Sequence, residues 1–420
     1  GRLEIHVNGS FIDSKTYAQQ PLDGSNFRIG RHNARDPYWL NGFVDDFRIY
    51  NRALSADEIK LLYNYEKPKL DLNDSNFHDA VNLWFSDELN ATWTYGHICD
   101  WNVSAVTNMS NAFYNRTDFN EGIGKWDTSS VKNMYRMFGS ATVFNQPIGD
   151  WNTSEVTNMS YMFSKAQTFN QPIGKWDTSL VTNMQRMFHQ ATVFNQPIGD
   201  WNTSKLTDMS AIFFIASAFN QPIDDWDTSS VTNMGHSFTF ATAFNQPLAN
   251  WDTSSLTSTY GMFREANSFN QSIETWNVLS ITNFKDMWLN TNALSSSNKG
   301  SIHEKFSQNQ NWNYDWSAFV PPRNLSSLAQ LAILENQPIA TIVGEFNATD
   351  ANDGNITYDF VNGENNNSLF TLDSNGTLRT ATTFDYESNA TSYTISVQAK
   401  DELNATTEGN FSITLQNVVE

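Results

Sequence analysis

Apolar and polar positions recur along the middle of this chain in one order, 25 residues apart. The pattern is clearest from Trp151-Asn-Thr-Ser-Glu-Val-Thr-Asn-Met-Ser-Tyr-Met-Phe163 to the trailing Phe169-Asn-Gln-Pro-Ile173. Trp101, Trp126, Trp151, Trp176, Trp201, Trp226, Trp251 and Trp276 head the successive copies. A fixed period of this length predicts a stack of coils, each hiding its apolar side only against its neighbours. Within a coil, Met159, Met162, Phe163 and Ala166 lie three and four apart. That spacing predicts one or two helical turns with these side chains facing inward. A short extended stretch is expected at Trp-Asp/Asn-Thr-Ser and a turn through Thr-Asn. Pro147, Pro172, Pro197, Pro222 and Pro247 fix a bend in the central coils, and Gly122 and Ser272 replace them in the outer ones.

The flanks follow other patterns. Residues 73–85 carry Phe77, Ala80, Val81, Leu83 and Trp84 on one helical side, and Ser296–Phe306 with Trp312 and Trp316 forms a second unlike segment. Both read as caps, because the open ends of a coil stack must be covered. Near the start, Leu3–Val7 alternates, Asn8-Gly9 signals a hairpin, and Ser55-Ala-Asp-Glu58 is a capping box that opens a short helix through Ile59, Leu61 and Leu62. Segments 27–29 and 42–50 read as further strands. After Pro321-Pro322 the period drops to two, as in Tyr393–Ala399 and Asn410–Leu415.

Three resemblances attach to these segments. Phe27-Arg-Ile-Gly-Arg31 with Gly42–Ile59 resembles the C-terminal part of laminin G-like, concanavalin A-like sandwich domains. Some members of that group bind carbohydrate or calcium. Asp45 and Asp46 are the nearest ligand candidates, and the reading adopted is that one of them ties down the adjacent turn. The 25-residue phrase resembles BspA-type leucine-rich-repeat surface proteins of bacteria, which implies an extracellular, cell-attached protein used in adhesion. Leu334-Glu-Asn-Gln-Pro338, Ala348-Thr-Asp-Ala-Asn-Asp-Gly-Asn355, Asn375-Gly-Thr-Leu378, Phe384-Asp-Tyr-Glu387 and Val397-Gln-Ala-Lys-Asp401 are similar to a cadherin repeat. The resemblance implies a seven-stranded Greek-key sandwich holding Ca2+ at both ends. Glu335, Asp385 and Glu387 would serve one end, and Asp350, Asn352 and Asp401, helped by Asn355, the other. Position 352 is Asn where the family usually has Asp, which removes one charge.

The expected architecture is therefore multidomain. It comprises a partial concanavalin A-like β-sandwich over residues 1–66 and a capped α/β solenoid of LRR-like repeats over 67–320. An all-β cadherin-like sandwich over 321–420 completes it.

Composition narrows the function. The formal net charge of −20, from 45 acidic and 25 basic residues, disfavours nucleic acid and anionic lipid as partners. The position before each Trp reads Asp100, Lys125, Asp150, Lys175, Asp200 and Asp225, so charges alternate along the stack until the last pair. Asp224 and Asp227 add to a patch there, read as a solvated face. Cys99 is the only cysteine, which excludes an internal disulfide, and is read as a small buried hydrophobe. The Trp, Met-Phe and Asn columns are read as core and as a buried ladder rather than as ligand sites. The many Asn-x-Ser/Thr triplets, such as Asn108-Met-Ser110, are read as turn chemistry. Phosphate loops, nucleophile elbows and metal-spaced His pairs are absent from the sequence.

These features predict a non-enzymatic adhesion protein of the bacterial surface, with a surface protein or glycan as ligand and homophilic pairing as a further implication of the cadherin likeness. Gly1 stands in what reads as mid-strand, so the chain is expected to be a fragment whose targeting and membrane-anchoring parts lie elsewhere. The alternatives are the carbohydrate-binding portion of a secreted carbohydrate-active enzyme, and a structural stalk without ligand.

Overall fold

A computed structural model describes residues 2–7, 10–16, 54–59, 62, 69–363 and 365–418. The chain divides into two units, Gly1–Val103 and Ser104–Glu420. The strand readings at 27–29 and 42–50, with Asp45 and Asp46, fall outside the described residues.

In the first unit, β1 (Arg2–Val7) and β2 (Ser10–Thr16) pair antiparallel with Val7 opposite Ser10. Ser55 and Glu58 form the reciprocal cap. Ser55 N donates to Glu58 Oε2 at 2.7 Å, and Glu58 N donates to Ser55 Oγ at 3.1 Å. Helix α1 (Phe77–Ser86) buries Phe77, Ala80, Val81 and Trp84. Asp87 accepts from Asn90 N and so caps a second helix, α2 (Glu88–Tyr95), which the sequence reading did not foresee. Trp84 meets Trp101 edge-on with centroids 6.2 Å apart, and the Trp101 indole donates to Gly96 O at 2.8 Å. Cys99 is half-buried, not buried, so it does not behave as a core hydrophobe.

In the second unit the coils stack in register. Isolated parallel bridges run from Asn108 through Asn133, Asn158, Asn183, Asp208, Asn233 and Ser258 to Asn283. The bridged residue is thus the Asn of Val-Thr-Asn, not the Trp-Asp-Thr-Ser stretch expected to extend.

The expected helical turns are not there. Met109, Asn111, Phe113 and Asn115 donate to the carbonyls of Asn133, Tyr135, Met137 and Gly139 in the next coil, each at 2.9 Å. The residues between them close turns within the coil, as Ala112 N does on Met109 O at 3.2 Å. An α-helix would return every N–H to its own coil. Here alternate N–H groups go to the neighbour, so the segment is a chain of turns. Two residues per coil take positive φ to achieve this, such as Arg136 at 55° and Ser140 at 59°. The apolar side chains still face inward as their spacing indicated, and Met159, Met162, Phe163 and Ala166 are all buried.

Every repeated residue has a packing or hydrogen-bonding task. Phe163 and Phe169 stack at 3.9 Å within a coil, and Phe163 stacks on Phe138 at 5.6 Å and on Phe188 at 5.8 Å between coils. Trp176 and Trp201 lie 6.5 Å apart with planes within 2°. Thr153 Oγ1 donates forward to Asp177 O at 2.9 Å. The Asn column forms the expected ladder: Asn195 N donates to Asn170 Oδ1 and Asn220 N to Asn195 Oδ1, both at 2.9 Å. The rungs are half-buried, not buried, because each Gln amide covers only one side, as Gln196 Nε2 does on Asn170 Oδ1 at 3.1 Å. In the triplets, Asn108 Oδ1 accepts from Ser110 N at 3.0 Å, which is turn chemistry. Of the alternating charges, Lys175 and Asp150 meet at 3.9 Å, both highly exposed. Asp224 accepts from Asn250 N, and Asp227 from Ser229 N, each at 3.0 Å.

Helix α3 (Ser296–Phe306) follows the last coil and continues its ladders. Ser295 N takes the place of the next Asn on Asn270 Oδ1 at 2.8 Å, and Asn298 Nδ2 that of the Gln at 2.9 Å. The Trp288 N–H has no further coil to reach and donates to the Tyr314 hydroxyl at 3.0 Å. Buried Gly300 lets the 317–320 turn close in, since a Cβ there would stand 2.1 Å from Phe319 O. Arg323 pairs with Glu304 where α3 meets the following strand.

The C-terminal residues form two four-stranded sheets. Strands β3 (Arg323–Ser327), β5 (Ile342–Thr349), β8 (Thr377–Thr380) and β7 (Phe370–Leu372) make one. Strands β4 (Ala332–Leu334), β10 (Thr406–Gln416), β9 (Ser392–Lys400) and β6 (Thr357–Phe360) make the other. The first strand breaks between β3, antiparallel to β5, and β4, parallel to β10, giving eight segments where seven strands were expected. Between the sheets lie Ile333, Phe346, Leu378, Tyr393, Ile395, Val397 and Leu415. The alternating residues of 393–399 and 410–415 lie on adjacent antiparallel strands.

Candidate functional site

Two groups of acids sit at opposite ends of β9, since Ser392 pairs with Thr414 and Lys400 with Thr406. At the first end, Glu335 directly follows β4 and is 2% exposed. Its two oxygens accept from Val418 N at 2.8 Å and Tyr386 N at 3.0 Å. Asp385 and Glu387 lie on the β8–β9 loop. Asp385 Oδ1 accepts from Glu387 N at 3.0 Å and Oδ2 from Ser388 Oγ at 2.9 Å, which tightens the loop and turns both carboxylates toward Glu335. One oxygen from each of the three acids lies within 4.8 Å of the others.

The electrostatics follow from that convergence. The Val418 and Tyr386 amides hold the Glu335 carboxyl below its ordinary range. The Ser388 hydroxyl does the same for Asp385. Glu387 goes the other way: its own backbone hydrogen bond pulls down, but loss of solvent and the negative charges of Glu335 and Asp385 push it above its ordinary value. A cation between the three would relieve this repulsion.

At the other end, Asp350 follows β5 and Asp401 follows β9. Asp401 is 4% exposed, and its Oδ1 accepts from Leu403 N and Ala405 N, each at 2.8 Å. Asp401 Oδ2 and both oxygens of Asp350 are buried and accept no hydrogen bond from the protein. Buried carboxylate oxygens left without a donor are costly unless a ligand supplies compensation. Asn352 is not aimed at the pair: its Nδ2 donates to Glu402 Oε1 at 2.8 Å, and its Oδ1 accepts from Gly354 N at 3.3 Å. Asn355 is exposed on the same loop. Glu402 was missed by the sequence reading, although its place directly after Asp401 was a usable signal. The Asn352 amide holds its carboxyl below the ordinary range. A Cβ on Gly354 would stand 2.1 Å from Glu402 Oε2 and 2.7 Å from Asp350 Oδ2, so both carboxylates lie close over this glycine.

Oxygen-only ligands, converging from loops and partly unpaired, suit a hard divalent cation such as Ca2+ better than zinc, which favours His and Cys. The residues present therefore fit calcium at both ends.

Stacked 25-residue coils followed by an acid-ended β-sandwich define a class of modular repeat protein. The chain belongs to the family described as Mycoplasma protein of unknown function, DUF285, whose description matches residues 83–201 and 182–302, together more than half of the 420 residues. Residues 329–416 match the cadherin domain, and residues 1–60 match the concanavalin A-like lectin/glucanases superfamily. No curated protein matches the chain.

Similar solved structures include protocadherin gamma B7 extracellular cadherin domains 1-4, at 26% identity over 23% of this chain and 25% of that one, TM-score 0.20. Mouse clustered PcdhgC3 EC1-3 is 27% identical over 24% of this chain and 33% of that one, TM-score 0.21. Drosophila N-cadherin EC1-3 is 18% identical over 23% and 34%, TM-score 0.21. The chain spans a quarter to a third of the length of these structures. Among the described residues no helix is long and apolar enough to cross a membrane.

Proposed function

We propose that the chain is a non-catalytic adhesion or interaction module of an extracellular surface protein. In this reading, domains over 1–66, 67–320 and 321–420 are a partial lectin-like sandwich, a capped LRR-like solenoid of BspA type and a cadherin-like repeat. The solenoid presents a contact face to a surface protein or glycan. Calcium at the two ends of the sandwich stiffens its joints with neighbouring modules.

The observation that carries the reading is the burial of three carboxylate oxygens, on Asp350 and Asp401, that no protein donor satisfies. Support also comes from the three acids that converge at Glu335. Asp350, Asp401 and Glu402 would hold one ion, and Glu335, Asp385 and Glu387 another. Asn352 would orient Glu402 and not ligate. The bound ion would supply charge neutralisation and rigidity, not chemistry.

Calorimetric titration of the whole chain with CaCl2, repeated on Asp401→Asn, tests this. The substitution keeps the Oδ1 cap on Leu403 and Ala405 but removes the charge. Saturable binding that weakens by about tenfold or more in the variant is expected. Absence of heat in the parent chain, together with an unchanged melt in chelator, refutes it.

A further inference from the structure

The coils can be compared with one another, and most columns are uniform because packing consumes them. One column is not. Asn111, Arg136, Tyr161, Arg186, Ala211, His236, Gly261 and Asp286 occupy equivalent places, all with φ between 53° and 61°. Glycine or asparagine fits that backbone region most cheaply, and bulky side chains are held there against preference.

Three consecutive members build a ladder with Tyr114. The Arg136 guanidinium lies 4.3 Å over the Tyr114 ring and 5.5 Å from that of Tyr161. Arg186 lies 5.5 Å from the same Tyr161 ring, and its Nη1 donates to the Tyr161 hydroxyl at 3.2 Å. Lys165 and His189 complete the walls of a cavity of about 140 Å³. In this part of the chain Lys175 pairs with Asp150, Arg323 with Glu304 and Arg379 with Asp373. None of them uses Arg136, Lys165 or Arg186. Three cations thus converge without an acid in a chain whose acidic residues outnumber its basic ones 45 to 25.

We propose that this pocket is an oxyanion-binding site, taking a carboxylate, sulfate or phosphate group of an anionic ligand. The Tyr114 and Tyr161 rings beside the guanidinium groups fix their planes before binding, so their forked donors meet the anion with little ordering cost. Tyr161 orients Arg186, and Lys165 adds a point charge from the exposed rim. The site goes beyond the adhesive reading and does not depend on calcium.

Calorimetry on the whole chain, in chelator and at fixed ionic strength, would titrate sodium sulfate, sodium phosphate and sodium glucuronate, with sodium chloride as control. Saturable binding of at least one oxyanion and none of chloride is expected, and the preferred anion names the ligand class. Arg136→Gln and Arg186→Gln should each weaken it about tenfold. Exposed Lys165→Gln, which disturbs no packing, should weaken it several-fold at an unchanged melting temperature, and Lys175→Gln should leave it unchanged. No saturable binding of any of the three oxyanions, or equal binding in the parent chain and in Lys165→Gln, overturns the proposal.

Discussion

The indole N–H of Trp201 donates to the carbonyl oxygen of Ile173, 28 residues earlier, at 3.2 Å. The same bond recurs from Trp151 to Ile123, Trp176 to Ile148, Trp226 to Ile198 and Trp251 to Ile223, at 2.9–3.1 Å. A residue that looks like simple core filling therefore also satisfies a buried carbonyl of the preceding coil.

Trp201→Phe keeps an aromatic ring in the file but strands the Ile173 carbonyl. An unsatisfied buried acceptor costs about 1–3 kcal/mol, and the lost ring volume adds to it. Denaturant unfolding should show a loss of at least that size, with a larger one for Trp201→Ala. A Trp201→Phe loss below about 0.5 kcal/mol would mean that the bond contributes nothing beyond packing.

A gradient runs along the glycines before the Trp-leading charges. A Cβ would stand 2.3 Å from Pro172 O at Gly149, 2.6 Å from Pro197 O at Gly174 and 2.8 Å from Pro222 O at Gly199. The next coils carry Asp224 and Ala249 at the same place. Alanine would ordinarily gain about 0.4–1 kcal/mol by restricting the unfolded chain, whereas overpacking costs about 1–3 kcal/mol. Gly149→Ala should therefore lower the melting temperature, and by more than Gly199→Ala. A reversed order would sink the close-approach account.

His189 stacks on Phe214 at 5.1 Å, meets Ser164 Oγ at 3.1 Å, and faces the charges of Arg186 and Lys165. Burial first, then those two cations, lower its pKa from 6.5 to about 4. Between these values the unfolded chain binds the proton and the folded chain does not. Stability should therefore fall as pH drops from about 6.5 toward 4 and be level above about 7. His189→Gln should flatten that part of the profile. Parallel profiles for the two proteins, followed by melting from pH 4 to 8, would remove His189 as the cause.

The placement of the acidic groups at the two ends of the sandwich was legible because it is set locally. Glu335 follows a strand, Asp385 and Glu387 share a tight loop and Asp401 follows β9, and the likeness to a cadherin repeat had grouped them in that order. That reading named Asn352 and not Glu402, the carboxylate to which Asn352 donates. Glu402 lies 50 residues from Asn352, so their hydrogen bond is a contact between loops that sequence order does not reveal.

Residue order alone determined the 25-residue register, the inward-facing set at Met159, Met162, Phe163 and Ala166, the cap at Ser55 and Glu58, and the strands around 393–415. Each of these depends on side-chain spacing or on bonds between close neighbours in the chain. Tertiary structure decided the backbone of the coils. Spacings of three and four suit an α-helix equally well, but Phe163 N donates to Met187 O, 24 residues onward, at 2.9 Å. That acceptor exists only when the next coil is in place, so stacking turned an apparent helix into a chain of turns. Stacking also drew Arg136, Tyr161 and Arg186, 25 residues apart in sequence, into one basic pocket.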